Sequence, residues 1–245
     1  MKKLFLLALM IVTLSLGLSA KTYLLTVGIS DYKGEQQDLR LPAKDAALIK
    51  KLYNTVGDCE IKFLWDKNAT SQNITKEMKK LFAKAGRNDC IVLFFSGHGS
   101  EAGLLTHEKK TVTYATIREI FASSKAKNKI IFADACHSGK LRSESTNDGL
   151  TRISNTHDNY MMFLSSRHNE TSIESRFLAN GMFTSALVKG LRGAADNNND
   201  RVITARETFD YVSETVKKLS SDTQHPVMYG NFAEDMVIIN WTKKK

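Results

Sequence analysis

Two apolar segments of this chain end in the same way, with a reactive side chain among small residues. The segment FFSGHGS carries His98 between two glycines, and the segment IIFADACHSG carries Cys136 just before its end. Both apolar runs are typical of buried strands, and sites in open α/β sheets form outside the carboxyl ends of parallel strands. The stretch between them is long enough for one crossover helix. The pattern therefore predicts two adjacent parallel strands that present His98 and Cys136 side by side.

This pair fits nucleophilic catalysis by a thiolate with a histidine base. A free cysteine is more often a buried structural residue, and Cys59 and Cys90, which lack the glycine-flanked loop, fit that interpretation. Histidine precedes cysteine along the chain, which excludes papain-like enzymes, whose cysteine comes first. We therefore interpret His98 and Cys136 as a catalytic dyad and the other two cysteines as free structural thiols.

Several further motifs extend over nearly the whole chain after its first twenty residues. They are TVGISDY, LPAKDAALIKKL, FFSGHG, DACHSG, FLSSRHNETSIES, GMFTSALVKGLRGAAD and QHP. On these motifs the chain resembles the caspase-like cysteine peptidases, specifically the bacterial metacaspase-type relatives known as orthocaspases. The resemblance implies a single caspase-like α/β domain, and it implies peptidase activity on proteins or peptides.

The resemblance predicts a specificity for basic substrate residues. The chain lacks the Gln-Ala-Cys signature of animal caspases and has Asp134 two residues before the cysteine. A carboxylate there suits an Arg held through two hydrogen bonds. Metacaspases cleave after Arg or Lys, and the resemblance assigns Ser96 and Asp45 to the same pocket. This chain departs from the family pattern at Pro42, where the family often has Cys. The alternative interpretation of Asp45 is that it is a solvated residue on the surface of a helix.

The resemblance also implies the rest of the machinery. His98 would take the thiol proton and return it to the leaving amine. The backbone N–H groups of Gly99 and Cys136 would bind the oxyanion. His137 is a poor candidate for the base, because adjacent residues in extended chain point apart. This chemistry requires no cofactor.

The remaining pattern alternates strands with helices and predicts a mostly parallel sheet with helices on both faces. Predicted strands are Thr22–Ile29, Ile61–Trp65, Cys90–Phe95, Lys129–Ala133, Tyr160–Ser165 and Val237–Trp241. Predicted helices are Ala43–Tyr53, Thr70–Ala85, Tyr114–Ala122, Phe183–Leu191 and Thr204–Leu219.

The N-terminal segment differs from the rest and is predicted to be a secretory signal peptide over residues 1–20, which leaves the peptidase domain at 21–245. Lys2 and Lys3 precede an apolar run, and Ser19-Ala20 offers a cleavage point. The run is short for a membrane span, so no stable membrane anchor is expected and the protein would be periplasmic or secreted. Losing two lysines lowers the formal charge from +9 to +7. The other lysines are scattered, so no nucleic-acid partner is predicted.

A second candidate site lies at Asp196–Glu207, which fits the twelve-residue Ca²⁺-loop template. The matching ligand positions are held by Asp196, Asn198, Asp200, Val202 through its carbonyl, Thr204 and Glu207. The departure is Arg201, where the template requires Gly for a sharp turn. A turn that caps the following helix is the equally weighted alternative.

The polar segment Lys140–Asn159 lacks periodicity and is predicted to be a mobile loop, where proteolytic nicking concentrates. An enzyme that selects basic residues would cut itself there, at Arg152 first and at Arg142 second.

Two other functions stay open: a clostripain- or gingipain-like peptidase with the same dyad, and a catalytically silent caspase-like binding module. Inactive relatives typically lose the Cys or the His, and both are present here.

Overall fold

A central six-stranded sheet organises the chain. The computed structural model describes residues 20–34, 37–100, 102–135, 158–166 and 180–243. Residues 1–19 of the predicted signal peptide, Cys136, Arg142 and Arg152 lie outside the described part of the chain.

The elements follow one another as strand, helix, strand through the first two thirds of the chain. In chain order they are β1 Thr22–Gly28, α1 Pro42–Val56, β2 Cys59–Trp65, α2 Ser71–Phe82, β3 Cys90–Ser96, β4 Gly103–Leu105, β5 Thr111–Thr113, α3 Tyr114–Ser123, β6 Asn128–Asp134, β7 Asn159–Leu164, α4 Met182–Lys189, β8 Val202–Thr204, α5 Ala205–Leu219, β9 Val227–Asn231 and β10 Val237–Asn240. Every predicted strand and helix is present, with ends that differ by a few residues.

The main sheet has the strand order β2-β1-β3-β6-β7-β9, and all its pairs are parallel except β7 with β9. Its inner strand β3 is apolar up to Phe95, and Ile91 to Phe95 have no solvent exposure. Such a continuous apolar run is expected where helices cover both faces of a parallel sheet. The predicted fold class, a mostly parallel sheet within one domain, is therefore confirmed.

The helices pack on both faces because each has one apolar face. Helix α1 buries Ala46, Ile49, Leu52 and Tyr53 at helical spacing, and they join α4 and α5 in one core. Helix α2, which Thr70 caps through the Asn73 N–H, joins α3 in the core on the other face. The two cores fix the sheet between two helical layers.

Three features were not predicted. Strand β9 closes one edge of the sheet in antiparallel sense, and Gly230 in it has a φ of 131°, so that the chain passes close against the Tyr160 carbonyl. Strands β4 and β5 form a hairpin after β3. The predicted last strand exists as β10, but it pairs with β8 in a separate two-stranded sheet.

The two structural cysteines start strands on either side of β1. Cys59 and Cys90 are both in register with Thr22, and both are free thiols. Strands lie about 4.8 Å apart, so a strand between the two residues prevents a disulfide. Separately, none of the helices in the described ranges is long and apolar enough to cross a membrane.

Candidate active site

The loop that carries His98 begins where β3 ends. Gly97 has a φ of 153°, and a Cβ there would lie 2.6 Å from the Tyr32 hydroxyl. The same hydroxyl accepts the backbone N–H of His98 at 2.7 Å. On the other side, the His98 carbonyl accepts the N–H of Leu105 at 3.0 Å. The backbone of His98 is therefore fixed between the Tyr32 loop and the hairpin.

Contacts of the His98 imidazole fix the orientation of the ring as well as its position. Its Nε2 lies 2.8 Å from the carbonyl oxygen of Gln37. A carbonyl oxygen only accepts, so Nε2 carries the proton and the neutral ring keeps Nδ1 as its acceptor. The Tyr32 ring lies 4.9 Å from the imidazole, between centroids. Nδ1 of this partly exposed histidine can therefore accept a proton.

The loop that supplies these contacts is itself well anchored. Asp66 accepts the N–H groups of Ser30 and Asp31 at 2.8 and 3.0 Å. The Tyr32 N–H donates to Asp38 at 2.9 Å. These bonds hold the turn that follows β1 over the carboxyl end of β3, where His98 lies.

Strand β6 ends beside His98, as the sequence pattern predicts. It pairs in parallel with β3, with Ser96 opposite Asp134, and the Gly97 N–H donates to the Asp134 carbonyl at 3.2 Å. Cys136 follows Asp134 by two residues but lies outside the described part of the chain. Gly99, the other predicted oxyanion residue, follows His98 directly and bridges to Leu104.

Asp45 is buried rather than solvated, which makes the solvated-helix alternative wrong. It is 1% exposed. Its Oδ1 accepts the Asn180 side-chain amide at 2.8 Å and the Gly181 N–H at 3.0 Å, and its Oδ2 accepts the Ser96 hydroxyl at 3.0 Å. Helix α1, strand β3 and the start of α4 thus meet at one carboxylate.

Asp134 lies in the same place. Its Oδ2 accepts both the N–H and the hydroxyl of Thr184, at 3.3 and 2.8 Å. A Cβ on Gly181 would lie 2.6 Å from Asp134 Oδ2 and 3.1 Å from Asp45 Oδ2. Both carboxylates therefore surround this one glycine, and the structure brings together the three predicted pocket residues Asp45, Ser96 and Asp134.

This arrangement shifts the protonation of Asp45. Burial, followed by the nearby Asp134 carboxylate, raises the pKa of Asp45 to about 7, and the three hydrogen bonds only partly oppose that rise. Near neutral pH the Asp45 carboxyl is therefore only partly ionised. A cationic side chain placed beside it would favour its ionised form.

Sequence reasoning did not assign a role to Tyr32, Gln37, Asn180, Gly181 or Thr184. Tyr32 lies in the TVGISDY motif and Thr184 in the motif that begins GMFTS. The motifs therefore marked both residues as notable, but they did not indicate which residues each one contacts. The bond from Asn180 to Asp45 spans 135 residues along the chain. Local sequence patterns contain no information about a contact at that distance.

The Asp196–Glu207 segment forms a turn, strand β8 and the first turn of α5. Glu207 and Thr204 form a capping box, with the Thr204 N–H on Glu207 Oε2 at 3.0 Å. Both oxygens of Asp196 accept loop N–H groups, from Asp200 and Arg201, and Arg201 has a φ of 67°. Across the described ranges, no three His, Cys, Asp or Glu side chains are placed to hold a metal ion. The contacts are those of the helix-cap alternative, and calcium binding stays a prediction.

Comparison with known proteins gives four results. A family model described as the caspase domain matches residues 21–237. The fold is similar to the crystal structure of caspase-1 from Spodoptera frugiperda, with 16% identity and a TM-score of 0.68 over 91% of this chain and 92% of that one. It is also similar to a structural-genomics target from Geobacter sulfurreducens, with 14% identity and a TM-score of 0.62 over 87% and 95%. The comparison with curated proteins finds no match.

Proposed function

Because the chain belongs to the caspase domain family of cysteine peptidases, we propose that it is an endopeptidase that cleaves after Arg or Lys. Cys136 is the nucleophile and His98 is the base. The observation that carries this proposal is the cluster beside His98, in which the buried Asp45 carboxylate and the partly exposed Asp134 carboxylate accept hydrogen bonds from neutral donors.

The described geometry supports His98 as the base. Its Nε2–H is bound to the Gln37 carbonyl, so Nδ1 is available to take the thiol proton. The thiolate attacks the scissile carbonyl carbon, and the oxyanion that forms is stabilised by the N–H groups of Gly99 and Cys136. His98 then gives its proton to the leaving amine, and water hydrolyses the thioester with His98 again as base.

The pocket supports a basic specificity on electrostatic grounds. An acidic substrate side chain would add a further negative charge next to Asp45 and Asp134, which is costly because Asp45 is buried. An Arg guanidinium can instead bind two carboxylate oxygens in one plane. A Lys ammonium supplies one compact charge to the same place.

The proposal includes export and self-processing. A signal peptide over residues 1–20 would deliver the enzyme to the periplasm or outside the cell. Cleavage after Arg152, or after Arg142, would then occur at the high effective concentration of a tethered substrate. Mass spectrometry of the purified protein beside Cys136→Ala tests this, and intact chains in both samples with full activity in the wild type would remove self-processing.

The main test uses fluorogenic peptides that differ only in the residue before the cut: Arg, Lys, Gln or Asp. We expect the Arg and Lys peptides to be cleaved far faster than the Gln and Asp peptides, and we expect loss of activity in Cys136→Ala and in His98→Ala. Labelling of Cys136 by an Arg chloromethyl ketone provides a second readout. A preference for Asp, or normal turnover in either variant, would contradict the proposal.

A further inference from the structure

The start of helix α4 forms one wall of the carboxylate pocket. Asn180 and the Gly181 N–H donate to Asp45, while Thr184 donates to Asp134 through its N–H and its hydroxyl. Thr184 has no solvent exposure. Building on the proposed function, we propose that Asn180 and Thr184 are positioning residues that fix the two carboxylates and thereby set the preference for Arg over Lys.

The contacts divide between the two carboxylates. Asn180 and Gly181 hold Asp45, which comes from α1, and Thr184 holds Asp134, which comes from the end of β6. Helix α4 has no side-chain cap of its own, since its N-cap residue is Gly181. The two carboxylates accept first-turn N–H groups that would otherwise lack a partner. The start of one helix therefore contacts two acids that come from distant parts of the chain.

A purely structural role, as a helix cap, is the alternative explanation of these bonds. The chemistry of the two basic side chains separates the alternatives. A guanidinium needs carboxylate oxygens fixed in its own plane to form two hydrogen bonds, whereas an ammonium on a flexible stem accepts many orientations. Loss of positioning should therefore penalise Arg more than Lys, while loss of stability alone should penalise both equally.

The pocket has no room for a side chain at position 181. A Cβ on Gly181 would lie 2.6 Å from Asp134 Oδ2 and 3.1 Å from Asp45 Oδ2, which is too close for a carbon and an oxygen atom. The close approach lets the helix start touch both acids at once. It also means that the position of Asp45 relative to Asp134 depends on this short segment and not on the sheet alone.

The central experiment compares Thr184→Val with Thr184→Ser in the full mature chain. Valine keeps the shape and the N–H bond but removes the hydroxyl, and serine keeps the hydroxyl. For Thr184→Val we expect kcat/KM on the Arg peptide to fall about tenfold, the value of one hydrogen bond to a charged group. The fall on the Lys peptide should be about threefold or less, and Thr184→Ser should restore the wild-type ratio of Arg to Lys cleavage.

A matched control comes from another buried threonine. Thr208 is also unexposed and donates its hydroxyl to a backbone carbonyl, that of Thr204, at 2.7 Å. Thr208→Val removes a comparable hydrogen bond in α5, outside the pocket contacts. We expect it to lower the melting temperature without changing the ratio of Arg to Lys cleavage. A changed ratio in this control would overturn the assignment to Thr184.

Asn180→Ala keeps the proposal falsifiable if Thr184→Val does not fold. Asn180 is partly exposed. Among the described contacts, its amide binds Asp45 and not Asp134. We expect a higher KM for the Arg peptide with kcat little changed, and a smaller effect on the Lys peptide. Equal losses on both peptides, or none, would overturn the inference while leaving the proposed function intact. A wild type without any preference for basic residues would instead overturn the proposed function.

Discussion

Buried carboxylates lie at both ends of the central sheet, and they are stabilised in different ways. At the amino end, Asp158 is 6% exposed and pairs with Lys129, itself 2% exposed, at 3.0 Å, and with Arg87 at 3.3 Å. At the carboxyl end, Asp45 is 1% exposed, and a hydroxyl, an amide and a backbone N–H bind it.

The difference is the one expected between a structural acid and the proposed binding acid. A buried charge that only stabilises the fold needs its own counter-ion, because an unpaired buried charge is costly. Neutral donors fix the position of the Asp45 carboxylate without cancelling its charge. The charge of ionised Asp45 is therefore left to be balanced by a cation that comes from outside the fold.

The largest expected effect is on specificity. Asp134→Ala removes one of the two pocket charges next to Ser96, and we expect kcat/KM on Arg peptides to fall about a thousandfold, as when one partner of a buried charge pair is truncated. Steady-state kinetics on the Arg and Gln peptides measures it. A loss of the same size on the Gln peptide would mean that Asp134 supports the fold rather than the pocket.

The second prediction concerns the amino end of the sheet. Asp158→Ala leaves Lys129 buried without its partner, and we expect a loss of about 3 kcal/mol in the free energy of unfolding. Urea denaturation measures this loss. The ratio of Arg to Lys cleavage should stay at the wild-type value, since the substitution lies at the opposite end of the sheet from the pocket. A changed ratio would contradict the purely structural role argued for Asp158.

The third prediction follows from the raised pKa of Asp45. Folding raises that pKa from 3.8 to about 7, so the folded chain binds a proton that the unfolded chain releases. Its contribution to stability is therefore full below about pH 4 and is lost as the pH rises through about 7. Asp45→Asn should be more stable than the wild type at pH 8, by about 2 kcal/mol, and the difference should shrink towards pH 4.

Denaturant unfolding at several pH values checks this directly. The same variant should lose cleavage of Arg peptides, so that stability and function change in opposite directions at this residue. Asp158→Asn is the matched control, because its carboxylate has cationic partners, and it should destabilise the protein at pH 8. If Asp45→Asn were also destabilising at pH 8, the two acids would not differ as argued.

The sequence was informative where burial leaves a continuous pattern. The apolar run of β3 predicted a strand because both faces of a parallel sheet are covered. The adjacency of β3 and β6 followed from the length of the connection between them. The edge strand β9 was missed because it is short and contains Gly230, which a strand pattern does not favour.

The site was only partly predictable. Asp45 and Ser96 were candidates through family resemblance alone, since a single acid on a helix carries no signal of burial. The bonds of Thr184 to Asp134 and of Asn180 to Asp45 span 50 and 135 residues. Such contacts depend on how α4 packs beside the sheet, which no local pattern encodes.

The smallest expected effect concerns Glu207, an acid that acts within its own helix. Glu207→Ala removes half of the capping box with Thr204, and we expect a loss of about 1 kcal/mol in the free energy of unfolding without any added metal. Thr204→Ala should cost a similar amount. Calorimetric titration with Ca²⁺ then separates the two interpretations of this loop: heat of binding in the wild type that Glu207→Ala abolishes would support the calcium prediction. Identical titrations of wild type and variant, with the stability loss still present, would leave Glu207 as a helix cap only.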